Sequence, residues 1–362
     1  MKYLFVLGIL CFFPVRTEGK EFPWIAGTAV HTGFLINQNN NMKIFNEQIP
    51  HFYELYIARA TNGKQQWHSF YRYPQYGVSY MLFDLGSPSY LGKAHGIYPF
   101  LHFFLSDAER AACVNLRLGA GVAYLKNTFD RMDNYKNIAI STHLNAVIHL
   151  RMEGRVRIAQ PLYLCGGWAF THISNGTVKK PNAGLNYITV HAGANYAFGK
   201  EKAVEKVDND FIAERKWQYA IYLSGGVKTY TMFDDAKYIA SGLSLEASRS
   251  HLAFTRFNGT VDLFYDRSDY AYLMDNDVET KKIQTLKPGI AAGYSFFFGA
   301  LAANAQIGRY IYAKNQQYGL FYQRLALSYA ITERLNVRFG LKTHLGQADY
   351  LEMSIGLRIS KQ

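Results

Sequence analysis

The sequence predicts an all-β chain, a transmembrane antiparallel β-barrel of about 12 to 16 strands, with about 14 favoured by the even-number tendency of bacterial barrels. Three observations carry this. The 362 residues include 28 Tyr and 25 Phe but only 9 Pro, a profile that suits strands better than helices. Apolar residues recur with period two, the spacing of a strand, rather than 3.6. Beyond the N-terminus no stretch supplies the ~18 consecutive apolar residues of a spanning helix, and the most apolar one, 290–303, is interrupted by Gly and Ser. An apolar fraction of 49% excludes disorder.

Taken in order, the elements begin with an address. Lys2 precedes an apolar run, Tyr3 to Val15, and Thr17-Glu18-Gly19 offers small residues at cleavage-site spacing. Residues 1–19 are expected to be a cleaved signal peptide that carries Cys11 away. Residues 20–362 are then expected to form one barrel without a domain break or fixed-period repeat. Cys113 and Cys165 remain; their spacing neither demands nor forbids a disulfide, and no CxxC or Cys/His cluster suggests a metal.

Along the barrel, Val114, Leu116 and Leu118 oppose Asn115, Arg117 and Gly119. Trp217, Tyr219, Ile221 and Leu223 oppose Gln218, Tyr222 and Ser224, and Leu335, Val337, Phe339 and Leu341 oppose Asn336, Arg338 and Lys342. The segments 155–174, 184–198, 282–299 and 319–332 reach or exceed the roughly 9–11 residues that cross a bilayer at a tilt. Polar turns are expected at Ser106–Arg110, Asn127–Lys136, Glu153-Gly154, Asp234–Lys237 and Lys314–Tyr318. Residues 199–214, charged and without alternation, read as a long solvated loop. Arg117, Arg151, Arg155, Arg157 and His191 are expected to face the lumen.

Parity singles out one place. In 155–174 the even positions Val156, Ile158, Leu162, Leu164, Trp168 and Phe170 are apolar and should face lipid, while Arg155, Arg157, Tyr163, Cys165 and Thr171 face inward. The same even face ends in His172 and Ser174, two residues apart and therefore side by side. In the return segment Ile188, Val190, Ala192 and Tyr196 are apolar, and Asn186 shares their face. Polar groups on a lipid-facing surface are costly unless they lie near the interface or are used. A histidine can serve as base to a serine nucleophile when a third group orients it.

Here the chain resembles the outer-membrane lipid A 3-O-deacylases, related to acyloxyacyl hydrolases. Their pattern of His-x-Ser-Asn, followed by an Asn and a Gly in a short loop and then an acidic residue, is met by His172-Ile173-Ser174-Asn175 and Asn182-Ala183-Gly184-Leu185-Asn186. The resemblance rests on about twenty residues around 172–186, and the family's small members have eight-stranded barrels. It implies His172 as base, Ser174 as nucleophile, and Asn175 and Asn182, with Gly184, as oxyanion and positioning residues. The chain departs in placing Asn186 where the family has Glu, with no Asp or Glu anywhere from 154 to 200, and Asn-Ala-Gly where the family usually has Asn-Pro-Gly. An Asn carbonyl can hold a histidine tautomer without offsetting the imidazolium charge.

The resulting expectation is an ester hydrolase of the bacterial outer membrane that removes a fatty acyl chain from lipid A (lipopolysaccharide), with no metal, no cofactor and no nucleic-acid partner. Lys179 and Lys180 are expected either to meet substrate phosphates or simply to be solvated. Asn175-Gly176-Thr177 matches a glycosylation sequon, which means little if the source is bacterial. The alternative is a non-enzymatic channel, transport or structural barrel whose His172/Ser174 pair is idle; a soluble lectin-like protein is a third reading that the long strands disfavour.

Overall fold

The computed structural model describes residues 20–21, 23–107, 110–199, 202–203, 213, 215–233 and 235–359. The expected signal peptide and most of 199–214 lie outside these residues. A two-residue strand, β1 (Lys20–Glu21), precedes the first run of long strands: β2 (Trp24–Leu35), β3 (His51–Ala60), β4 (Gln75–Asp84) and β5 (Lys93–Phe104). The run continues with β6 (Ala112–Leu125), β7 (Leu144–Ala159), β8 (Leu162–Ser174) and β9 (Leu185–Phe198). A second short strand, β10 (Lys202–Ala203), pairs with β1. The second run comprises β11 (Trp217–Lys228), β12 (Tyr238–Leu252), β13 (Thr255–Asp266) and β14 (Leu286–Phe298). It ends with β15 (Leu301–Tyr310), β16 (Phe321–Ala330), β17 (Leu335–His344) and β18 (Gln347–Arg358). Two short α-helices occupy connections, α1 (Gln66–Phe70) and α2 (Arg267–Asp275).

The all-β, antiparallel barrel architecture is as the alternation predicts, but the strands close twice. β9 pairs back onto β2 and β18 onto β11, giving two eight-stranded barrels with 16 strands between them. The expectation of one barrel over 20–362 is therefore corrected, while the 16 strands fall at the upper end of the expected 12 to 16, above the favoured 14. Period two shows that a strand has two faces and says nothing of which distant strand it meets, so closure was invisible along the chain. The charged stretch 199–214 falls between the barrels.

Face assignment follows parity. Val156, Ile158, Leu164 and Trp168 are exposed on the outside of the first barrel, while Arg117, Arg151 and His191 are buried inside it. Arg155 lies inside as well, its guanidinium over the rings of Phe104 and Tyr163, whereas Arg157, near the end of β7, is exposed rather than lumenal. One expected turn is wrong. Glu153-Gly154 lies inside β7, and the chain reverses at residues 160–161 instead. Glu153 points into the lumen, where Arg151, two residues away on the same face, binds it. Cys113 and Cys165 are free thiols; Arg155 on β7 stands between them in register.

Eight strands enclose a width that side chains fill. In the first barrel Glu54 receives Arg151 at 2.5 Å, Arg117 at 3.2 Å and the Tyr98 hydroxyl at 2.9 Å. In the second, Arg324 binds Asp262 at 3.3 Å and Glu352 at 2.5 Å, and Arg338 binds Glu246 at 2.9 Å. Toward the loop end of the first barrel the filling turns apolar: Phe52, Phe83, Leu125, Ile140, Ile173 and Tyr187 join one buried cluster. Because Glu54 serves two guanidinia, Glu54→Leu leaves Arg117 buried without its carboxylate and Arg151 with Glu153 alone. The expected loss is about 3–5 kcal/mol, read as a lower urea midpoint for the heat-modifiable gel shift of the folded protein.

Candidate active site

β8 and β9 form a hairpin whose inward residues Ile173, Leu185 and Tyr187 are fully buried in the apolar cluster. Alternation then forces His172, Ser174 and Asn186 onto the outer face. Register places Asn186 directly opposite His172, and Ala146 of β7 opposite Ser174. The structure thus brings together the three residues that parity singled out. His172 Nε2 lies 2.8 Å from Ser174 Oγ and its Nδ1 lies 2.6 Å from Asn186 Oδ1. An amide oxygen can only accept, so Nδ1 carries the proton and Nε2 is free to accept from the Ser174 hydroxyl. That is the tautomer a general base needs.

Below the pair the outer face is apolar. Ile148 stands opposite His172, Leu150 and Ile188 flank Phe170, and Phe34 of β2 stands opposite Ile188. Phe34 is 57% and Leu144 63% exposed, so this strip is open to the surroundings.

The connection 175–184 is built by neighbours that the sequence did not announce. Asn182 Oδ1 accepts from the Asn175 amide N–H at 3.1 Å. Both protons of the Asn175 side-chain amide are spent, on Ser141 Oγ at 3.1 Å and the Lys179 carbonyl at 2.9 Å. The Asn182 Nδ2, by contrast, is buried with no hydrogen-bond acceptor. Gly184 sits at φ +75°, and a Cβ there would press on His172 Cε1 at 3.2 Å and Ser174 Cβ at 3.4 Å. Its N–H donates to Ala139, and that of Ala183 to Ile138. The loop 126–143 therefore underpins the site, and Asn137 orders it in turn by accepting from the N–H groups of Ala139 and Ile140. No short motif marks such supporting residues.

A second set of supports crosses from the other barrel. Thr177, a β-branched residue at φ +68°, is held by the Thr229 N–H on its carbonyl at 3.0 Å and by its own hydroxyl on the Ala348 carbonyl at 2.8 Å. A conformation that costs a β-branched residue about 1–3 kcal/mol persists only where its surroundings over-determine it. Lys180 donates to the Tyr230 carbonyl at 2.7 Å and Lys237 to that of Val178 at 2.6 Å. Burial, with neighbouring Lys228, lowers the Lys180 ammonium from its ordinary value, and Asp349 opposes this. Lys180 is thus a structural strut in this arrangement, while Lys179 is half-buried beside it.

The second barrel carries an echo of the motif. Its seventh strand ends in Thr343-His344 and turns at Leu345-Gly346, where the first has Thr171-His172-Ile173-Ser174 within the strand. Glycine replaces the serine. His344 is buried inside its barrel and contacts the Phe321 carbonyl and Asp349 at 2.9 and 3.1 Å. Among the described residues no group of His, Cys, Asp or Glu has the arrangement of a metal site.

Comparison with known proteins bears on both halves. Residues 51–195 match the family model described as lipid A 3-O-deacylase, and residues 217–361 match that of the acyloxyacyl hydrolase C-terminal domain. Among solved structures, Neisserial surface protein A is similar at 11% identity and a TM-score of 0.35, over 50% of this chain and 100% of that one. A Rh. blastica porin mutant is similar at 10% identity and a TM-score of 0.18, over 92% and 98%. The Acinetobacter baumannii outer membrane protein Omp33 is similar at 8% identity and a TM-score of 0.18, over 94% and 99%. No curated protein matches the chain.

Proposed function

We propose, for a chain that belongs to the lipid A 3-O-deacylase family, that its first barrel hydrolyses an acyl ester of lipid A in the bacterial outer membrane, after export by a signal peptide, with Ser174 as nucleophile and His172 as base. The observation that carries this is the 2.8 Å contact between His172 Nε2 and Ser174 Oγ, at the end of a strand face whose earlier residues Leu164 and Trp168 are apolar and exposed. The open apolar strip of Phe34, Ile148, Leu150 and Ile188 is the natural bed for the acyl chain.

Ser174 Oγ attacks the ester carbonyl as its proton passes to His172 Nε2. The carbonyl oxygen becomes an oxyanion, for which the unpartnered Asn182 Nδ2 is the favoured donor. Collapse breaks the ester bond to the sugar oxygen, which takes the proton from His172, and leaves an acyl-serine. Water, deprotonated by the same His172, then attacks the acyl-serine and releases the fatty acid and the free Ser174 hydroxyl. Asn186 keeps the proton on Nδ1, and its carbonyl dipole partly substitutes for the acid that the family carries there. The expected oxyanion role of Asn175 is withdrawn, because its amide is fully engaged; it shapes the loop instead. Gly184 leaves the room that His172 requires. Lys179 is the remaining candidate for a substrate phosphate. A channel function is disfavoured by the charged and aromatic side chains that fill both lumens.

Mass spectrometry of lipid A from cells with and without the protein tests the proposal. An acyl chain should be lost only when the protein is present, and Ser174→Ala and His172→Ala should each restore the acyl chain while the folded gel shift persists. Rates should fall on the order of 10⁴-fold or more, and an unchanged lipid profile in both variants would return the pair to a structural role. Asn182→Ala should lower kcat by about 10²–10³-fold, whereas an equal effect on KM alone would assign it to binding. Asn186→Ala should lower kcat about 10- to 100-fold, and Asn186→Glu should retain or exceed the parent rate because a carboxylate also stabilises the imidazolium. A silent Asn186→Ala would show that another group orients His172.

A further inference from the structure

The connection that follows Ser174 opens with a turn. The Asn175 carbonyl accepts from the Val178 N–H at 3.3 Å, and both central residues are left-handed, Gly176 at φ +60° and Thr177 at φ +68°. Gly, Asn and Asp dominate such positions, so a threonine at the second of them carries strain that a glycine would avoid. What the threonine adds is a hydroxyl, and that hydroxyl donates to the Ala348 carbonyl of the second barrel at 2.8 Å. We infer that Thr177 is a positioning residue for the hydrolysis, through which the second barrel aims the oxyanion donor Asn182, an inference that rests on the deacylase reading.

On the side of the second barrel the turn is gripped at fixed points. Thr177 is held by its hydroxyl on Ala348 and by the Thr229 N–H on its carbonyl, at 3.0 Å. Ala348 and Thr229 are the chain neighbours of Asp349 and Lys228, which pair with each other inside the second barrel. Asp349 is bound as well by Lys342 at 2.8 Å and His344 at 3.1 Å, and Lys228 by Asp266 at 3.0 Å. This buried ion network sets the spacing of the two grips. Leu351, on the same strand as Ala348, presses on the other central residue: a Cβ at Gly176 would overlap its side chain, so glycine lets the turn seat against the second barrel.

On the other side the path runs to the site. The N–H of Asn175, the first residue of the turn, donates to Asn182 Oδ1 at 3.1 Å. Because that bond fixes the oxygen of the Asn182 amide, it also fixes the direction of Nδ2, which is buried without an acceptor. Freed from the second barrel, Thr177 would leave its left-handed conformation, and the turn would carry the Asn182 amide with it. A misplacement on the order of 1 Å at a transition-state donor costs up to about 10²-fold in rate. The His172–Ser174 contact lies within β8, before the turn and outside this path. The signature of a broken clasp is therefore a loss of kcat rather than of substrate binding.

The test is steady-state hydrolysis by the full-length protein in detergent micelles, with purified lipid A as substrate and fatty acid release as the readout. Thr177→Val keeps the shape and removes the hydroxyl; it should lower kcat about 10- to 100-fold with KM within about twofold. Thr177→Ser keeps the hydroxyl and should hold kcat within about threefold of the parent. Thr177→Gly removes the strain along with the hydroxyl and should fall as Thr177→Val does. A Thr177→Gly protein at the parent rate, or a change confined to KM, would overturn the inference. Coupling is the decisive measurement: with Asn182→Ala already in place, Thr177→Val should lower kcat by less than about twofold further. Losses that multiply, or an Asn182→Ala that is silent, would show that Thr177 does not act through Asn182 and would overturn its positioning role. Heat-modifiable migration establishes that each variant is folded, and if Thr177→Val fails this check, Thr177→Gly carries both measurements. Failure here is distinguishable from failure of the deacylase reading, which the lipid profiles of Ser174→Ala and His172→Ala decide without reference to Thr177 or Asn182.

Discussion

Everything the candidate site does depends on the parity of β8 and β9. Ile173, Leu185 and Tyr187 are locked into the apolar filling at the loop end of the first barrel, and in a strand the neighbours of buried residues must face out. A slip of one residue would exchange the two faces, turn His172 and Ser174 into the lumen, and put three large apolar side chains on the outer face. The core and the site are thus two sides of one constraint. The loops that complete the apolar cluster, through Met42, Phe45 and Ile140, stabilise the same register that aims the nucleophile.

The lower lumen obeys a different rule. Two arginines and a tyrosine converge on Glu54, and a charge withdrawn from water is tolerated only with partners of good geometry. Such a network ties together β3, β5, β6 and β7 and leaves the barrel a filled cylinder. The second barrel repeats the device with Arg324, Asp262 and Glu352. A filled interior directs attention to the outer wall and to the loop end, where the candidate chemistry lies.

Between the barrels there is a division of labour. The first keeps His, Ser and Asn on its outer face; the second keeps a histidine but has Gly346 in place of a serine, and turns that histidine inward. What the second barrel gives instead is restraint. Thr229, Ala348, Tyr230 and Lys237 all bond to the connection 175–184, which carries Asn182 and a left-handed Thr177 that would not hold its conformation unaided.

Strands, faces and the His172–Ser174–Asn186 trio were legible in the sequence because each depends on neighbours two residues apart or on one hairpin. Alternation is a local property, and His-x-Ser on an apolar face needs no distant information to be noticed. The Glu153-Gly154 dipeptide misled for the same reason: in isolation it resembles a turn, and Arg151, His191 and His102 around it in a closed lumen make a mid-strand carboxylate stable. Tertiary structure alone decided that sixteen strands close as eight and eight, that Ser141 takes one proton of the Asn175 side-chain amide, and that a second barrel braces the connection after the serine. Those facts are set by pairings between residues tens to hundreds of positions apart, β9 with β2, β18 with β11, Thr177 with Ala348, and such pairings are won by closure and packing rather than by any preference written along the strand.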